Sequence, residues 1–205
     1  MPICHGRKFI FIHIPKNAGS TVEVSLGIYK KECMVETKDS IFEDGVSYSQ
    51  QHLTAKQLKI YDKTKDIFDS YFKFTFVRNP YQRVLSEYFW LNQKNLNKDR
   101  TPSENFSKFI DEFYSTIDKD HKLTQYEYLY NENGNLMVDF IGRVESFEND
   151  FTKVLNKFNT KIKIKPFNIT RQKKDINQDL YLTKENKEKI YNLFKIDFET
   201  FGYEK

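Results

Sequence analysis

Lys8 to Leu26 reads KFIFIHIPKNAGSTVEVSL, and the reading of this stretch decides the fold. Phe9 to Ile14 is a short apolar run rich in aromatic and β-branched residues, which predicts a buried strand. Pro15 stops it, and Lys16, Asn17, Ala18 and Gly19 follow as a turn. Ser20 and Thr21 then open a segment in which Val22, Leu26 and Ile28 recur at near-helical spacing. Strand, tight loop and helix N-terminus therefore come in order. Such a junction aims several backbone N–H groups and the positive end of a helix dipole at one spot beyond the strand. A phosphate fits there, with Lys16 adding a full charge and the Ser20 and Thr21 hydroxyls adding donors. Taken alone, the segment is also compatible with an ordinary strand-to-helix turn carrying a surface lysine.

The loop departs from the common nucleotide cradle. In the pattern GxxxxGK[ST] the lysine directly follows the last glycine, and the next residue holds Mg²⁺. Here Lys16 precedes Gly19. A second segment, Phe74 to Trp90, reads FTFVRNPYQRVLSEYFW. Phe74 to Val77 again predicts a buried strand, Asn79 an N-cap and Pro80 the first helical position. Val84, Leu85, Tyr88 and Phe89 make an apolar helical stripe. A nucleoside-triphosphate hydrolase built this way would place a Mg²⁺-holding Asp at the end of that strand. This chain has Arg78 there, a fixed cation, which points to anions bound directly by protein groups and to no metal.

PKNAGST and FVRNPYQRVLSEY together resemble the two nucleotide motifs of sulfotransferases that use 3′-phosphoadenosine 5′-phosphosulfate (PAPS). The closer similarity is to the carbohydrate-type branch, with its bacterial members and the uronic acid 2-O-sulfotransferases. The resemblance implies that Lys16, Asn17, Ala18, Gly19, Ser20 and Thr21 hold the 5′-phosphosulfate. It implies that Arg78 and, eight residues on, Ser86 hold the 3′-phosphate. FIGRVESFENDF from Phe140 and DFETFGY from Asp197 resemble later landmarks of the same family, so the similarity extends over nearly the whole chain. About Asn92 to Leu123 is the least family-like part.

The 205 residues suit a single domain, 1–205, with a sizeable core, and 19 Phe and 13 Tyr predict that this core is aromatic-rich. A net charge of +4, from 33 basic and 29 acidic residues, is too balanced for a dedicated nucleic-acid binder. Cys4 and Cys33 show no metal-ligand or CxxC spacing, which predicts reduced thiols in a cytoplasmic protein. No signal-peptide pattern and no apolar run near ~20 residues is visible, so no membrane span is expected. The oligomeric state is not legible.

Along the chain, Lys30 to Tyr48 is polar and irregular. Thr54 should cap a helix from Ala55 to about Tyr61, and Asp66 to Tyr71 should add a helical turn. The helix from Pro80 is expected to reach about Asn95. Ser103 is expected to cap the next, with Phe106, Phe109, Ile110 and Phe113 on one face. Tyr126 to Val138 predicts a hairpin around Gly134. Phe140 to Val144 predicts a strand, Ser146 a cap for a helix to about Phe158, and Ile162–Ile164 a short strand. The last helix should start at Thr183, with Ile190, Leu193 and Phe194 aligned. Arg83 and Glu87 read as an exposed i, i+4 pair, and Arg143 and Glu145 as a pair on one strand face. The alternation predicts an α/β fold, a P-loop-like three-layer arrangement with a central parallel sheet flanked by helices.

Sulfuryl transfer moves a group in line between two oxygens through a loose transition state, so positioning and charge stabilisation carry most of the catalysis. A cation at the bridging oxygen of the leaving phosphate is valuable, and Lys16 is the candidate. The acceptor hydroxyl needs a base, and histidine is best poised near neutral pH. His5 lies in the N-terminal tail, His13 inside the first strand as a satisfied core residue, and His121 among charged residues. His52, just before a capped helix in QHLTAKQL, matches the segment where family members often carry their base. Arg171, Lys173 and Lys174 read either as the basic loop that relatives bring over the 3′-phosphate or as a solvated charge run. These readings, with the carbohydrate-type resemblance, imply transfer from PAPS to a hydroxyl of a saccharide. A small-molecule kinase and a non-catalytic module for nucleotides or sulfated glycans are the alternatives.

Overall fold

The computed structural model describes residues 2–28, 51–62, 64–92, 101–160, 162, 164 and 177–205. Four strands form one sheet in the order β1 (Ile3–Cys4), β2 (Phe9–Ile12), β3 (Phe72–Val77), β4 (Phe140–Arg143). β2, β3 and β4 run parallel, with Phe11 opposite Phe74 and Phe74 opposite Phe140. β1 is antiparallel to β2, a difference from the all-parallel expectation. Only the short turn His5–Lys8 joins them, and a connection that short can only fold back.

The helices are α1 (Gly19–Leu26), α2 (Ala55–Ile60), α3 (Lys65–Phe68), α4 (Pro80–Leu91), α5 (Pro102–Asp111), α6 (Phe113–Thr116), α7 (Lys119–Lys122), α8 (Gln125–Leu129), α9 (Phe147–Lys157) and α10 (Lys184–Phe201). They divide between two compact units. The first comprises Met1–Val77 with Lys119–Asn168 and contains the sheet; the second comprises Arg78–Asp118 with Ile169–Lys205.

In the first unit, Phe9, Phe11, Phe74 and Phe76 pack against Val22 and Leu26 of α1 and Phe151, Val154 and Leu155 of α9. Strand alternation sends Lys73 to the other face, where its ammonium reaches the Phe68 carbonyl of α3 at 3.1 Å. Helices thus flank both sides of a mostly parallel sheet, the α/β architecture that the alternation predicts. A Cβ on Gly142 would lie 2.5 Å from the Phe76 ring, so β4 admits only glycine there. In the second unit, α4, α5 and α10 enclose Tyr88, Phe106, Phe109, Phe113, Ile190, Phe194 and Phe198. Among the described residues no helix is long and apolar enough to cross a membrane.

Several local expectations change. α5 is capped by Thr101, not Ser103: Thr101 and Glu104 form a reciprocal capping box with Pro102 at the first position. Tyr126–Tyr130 is not the first arm of a hairpin. Thr124 and Glu127 form another capping box and start α8 there, leaving a turn at Gly134 and a lone bridge from Tyr130 to Leu136. Arg83 and Glu87 are buried, not exposed; the Arg83 guanidinium lies 5.6 Å from the ring centre of Phe194 on α10. Glu145 belongs to a 3₁₀ turn, Val144–Ser146, after the strand has ended, so it shares no strand face with Arg143. Ser146 bonds the Asp150 carboxylate at 2.6 Å instead of capping backbone N–H groups. Thr54 and Asn79 cap their helices as expected, and Thr183, expected as the first residue of the last helix, is its N-cap, with α10 starting at Lys184. α4 ends at Leu91, short of Asn95. The polar, irregular stretch 30–48 and the centre of the expected strand at 162–164 lie outside the described residues.

Candidate active site

β2 ends at Ile12, and the chain turns through Pro15 to Ala18 before α1 begins at Gly19. Lys16 and Ala18 both take left-handed backbone, at φ 67° and 62°. Non-glycine residues rarely do so, and such strain collects at ligand-binding loops. Asn17, between them, is buried and donates from Nδ2 to the Phe76 carbonyl of β3 at 2.9 Å. Ala18, at the N-cap, has no side-chain oxygen to offer, and the first turn of α1 has no acidic residue. The start of α1 thus carries neither a side-chain cap nor a negative charge of its own, which suits an anion at that end of the helix dipole. Lys16, Ala18 and Ser20 are partly exposed, while Asn17, Gly19 and Thr21 are buried.

His13 packs under this helix start. A Cβ on Gly19 would lie 2.1 Å from the His13 ring, so the approach of ring to helix requires glycine. The His13 Nδ1 is 2.6 Å from Oε1 of Glu23, which gives the buried ring the partner expected of a satisfied core histidine. His13 is nonetheless not remote from the site. Its ring centre lies 4.9 Å from that of His52, and His52 lies 5.0 Å from His121.

His52 is buried, with Nδ1 2.8 Å from Oδ2 of Asp120 on α7. Asp120 in turn accepts at its backbone carbonyl from the Tyr128 hydroxyl at 2.7 Å. A carboxylate at Nδ1 selects the tautomer that leaves the lone pair on Nε2, where a base must carry it. Ligand atoms of His52, Asp120 and His121 all lie within 4.8 Å, a spacing that a metal ion could span. The 2.8 Å contact is a hydrogen-bond length, shorter than the ~3.3 Å between two ligands of one tetrahedral ion, and the pair is read as a dyad. Asp120, His121 and Glu23 were not legible as site residues. Asp120 and His52 are 68 positions apart, and no local pattern couples them.

Burial pushes the His52 imidazole down to about 4, the neighbouring His13 and His121 adding to the effect and the Asp120 hydrogen bond partly opposing it. Burial by itself raises Asp120, but the hydrogen bond from His52 and the nearby imidazoles outweigh it and hold the carboxyl below its usual range. At neutral pH the dyad is a neutral imidazole on an ionised carboxylate. The unfolded chain binds the His52 proton near 6.5, the folded one only near 4. Between those values the unfolded state holds more protons, so stability rises with pH. Falling from pH 6.5 to 4 is expected to cost about 3 kcal/mol from this residue. Urea denaturation across that range should show the loss, and His52→Gln should flatten it; an unchanged slope would refute the assignment.

Arg78 directly follows β3 and is partly exposed; Ser86 is buried on α4. Both belong to the second unit, which Asn79 and Pro80 begin as a helix start. Arg171, Lys173 and Lys174 lie outside the described residues.

A family model described as the sulfotransferase family matches residues 1–204. An uncharacterized protein of Archaeoglobus fulgidus is 33% identical over 97 residues, 45% of this chain and 72% of that relative. No solved structure gives a significant match. The family match takes in β1, the loop after β2, the segment from Phe74 to Trp90 and all of α10. The chain belongs to the sulfotransferase family, and its activity is sulfuryl transfer.

Proposed function

We propose that the donor is PAPS and that the acceptor is a hydroxyl, on a saccharide. The observation that carries the reading is the His52–Asp120 dyad, folded into the same unit as the loop from Lys16 to Thr21. Nε2 of His52 takes the acceptor proton. The acceptor oxygen bonds to sulfur as the bond from sulfur to the 5′-phosphate oxygen breaks, and 3′-phosphoadenosine 5′-phosphate departs. Lys16 carries its ammonium to the bridging oxygen, where negative charge grows. The loop Lys16 to Thr21 holds the 5′-phosphosulfate through the N–H groups of Ala18, Gly19 and Ser20 and the Ser20 and Thr21 hydroxyls, while the Asn17 and Thr21 N–H groups are bonded to the Ile14 and Ala18 carbonyls. Arg78 and Ser86 are assigned to the 3′-phosphate, and Arg171, Lys173 and Lys174 to the same group from sequence alone.

In this reading no step needs a metal, because Lys16 and the N-terminus of α1 supply the positive field. The saccharide class rests on the likeness of PKNAGST and FVRNPYQRVLSEY to carbohydrate-type motifs. We place the enzyme in the cytoplasm on the strength of its two cysteines, which lack any paired spacing. The chain as one catalytic domain, 1–205, belongs to the same proposal, since one family match spans both units.

Incubation with PAPS carrying labelled sulfate, against capsular glycans, oligosaccharides, lipids and phenols, tests the reading. Label is expected on a saccharide, without Mg²⁺. Label on a phenol or lipid alone would overturn the acceptor class. Mg²⁺-dependent turnover of ATP with no sulfuryl transfer would overturn the donor. The acid limb of kcat/KM, which reports the free enzyme, is expected near pH 4. A limb near 6.5 would mean that another group is the base.

A further inference from the structure

Lys16 and Ala18 hold left-handed backbone on either side of Asn17, so whatever fixes Asn17 fixes the loop. Its Nδ2 makes two hydrogen bonds, 2.9 Å to the Phe76 carbonyl and 2.7 Å to Oε1 of Gln125. A carbonyl can only accept, so the amide nitrogen of Asn17 must face β3. Gln125 must then present its oxygen. Gln125 is fully buried at the first position of α8, and the capping box of Thr124 and Glu127 fixes where that helix begins. The same short segment holds the base. Asp120 bonds His52, and the Tyr128 hydroxyl ties the Asp120 carbonyl to α8. Asp120 to Tyr128 thus touches the anion loop at one end and the imidazole at the other.

We propose that Gln125 is a positioning residue for the sulfuryl donor. By holding Asn17 it keeps Lys16 to Gly19 in the anion-accepting shape before ligand arrives, and it sets that loop against the segment that orients His52. Preorganisation of this kind removes the cost of ordering the loop from the binding step. The proposal rests on the reading of the loop as the donor site.

The test measures 3′,5′-bisphosphoadenosine binding by calorimetry to the full chain, to Gln125→Met, to Asn17→Ala and to the double variant. Each single change is expected to weaken binding about 10-fold or more, and the double no further than Asn17→Ala alone, because that change already removes the contact that Gln125→Met removes. The backbone amide resonances of Asn17, Ala18 and Gly19 should shift in Gln125→Met while those of Phe74 and Phe151 stay in place, a signature that general destabilisation does not produce. Gln125→Glu keeps an oxygen within reach of Asn17 and is expected to keep the loop resonances. Should Gln125→Met fail to fold, loss of those resonances in Gln125→Glu overturns the role. A wild-type protein that does not bind the nucleotide defeats the donor-site reading and this inference with it. A wild type that binds, with Gln125→Met binding equally or the two losses multiplying, defeats only the role of Gln125.

Discussion

Lys16→Ala is expected to lower the rate of sulfuryl transfer by ~10²-fold or more, as loss of one oxyanion donor does in acyl transfer. The substitution is a clean one. Lys16 already sits at φ 67°, and alanine meets the same steric resistance there, so backbone strain is unchanged while the charge is removed. The side chain is partly exposed, so little packing is lost with it. Single-turnover transfer from labelled PAPS reads the chemical step, and bisphosphoadenosine affinity reads the ground state. A cation that acts on the leaving oxygen should lose more in the first than in the second. Near-normal turnover would remove Lys16 from the mechanism.

His52→Ala is expected to cost 10²- to 10⁴-fold in transfer, on the order of general-base contributions, and to leave bisphosphoadenosine binding within a few-fold. Removing the imidazole also strips buried Asp120 of its donor, at about 1–3 kcal/mol of stability. His52→Gln separates the two effects. Its amide can still donate toward Asp120, yet it cannot take a proton at neutral pH. Transfer lost in both variants, with nucleotide bound by both, is the expected pattern. Loss of transfer and nucleotide binding together, even in His52→Gln, would make His52 a structural residue of the loop's surroundings.

The first motif was legible because its information is local. An apolar run, a proline, small residues and hydroxyls within Phe9 to Thr21 dictate strand, turn and helix start almost without help from the rest of the chain. The caps that moved were also written locally. Thr101-Pro102-Ser103-Glu104 and Thr124-Gln125-Tyr126-Glu127 each place Glu three residues after Thr, and that spacing outranks the alternation that suggests a hairpin at Tyr126. Arg83 and Glu87 show the opposite case. Their i, i+4 spacing states that they are neighbours on a helix, and only tertiary packing, such as Phe194 of α10 against Arg83, decides that they are buried.

The order of strand, small-residue loop and helix, and the sulfotransferase likeness of two short motifs, were therefore determined by the sequence alone, since each depends on residues a few positions apart. The tertiary structure decided which histidine carries a carboxylate, which amide braces the loop and which charged residues leave water. Asp120 meets His52, Gln125 meets Asn17 and Phe194 meets Arg83 across long stretches of chain. The physical reason is that hydrogen bonding and desolvation act through space, and a sequence lists distance only along the backbone.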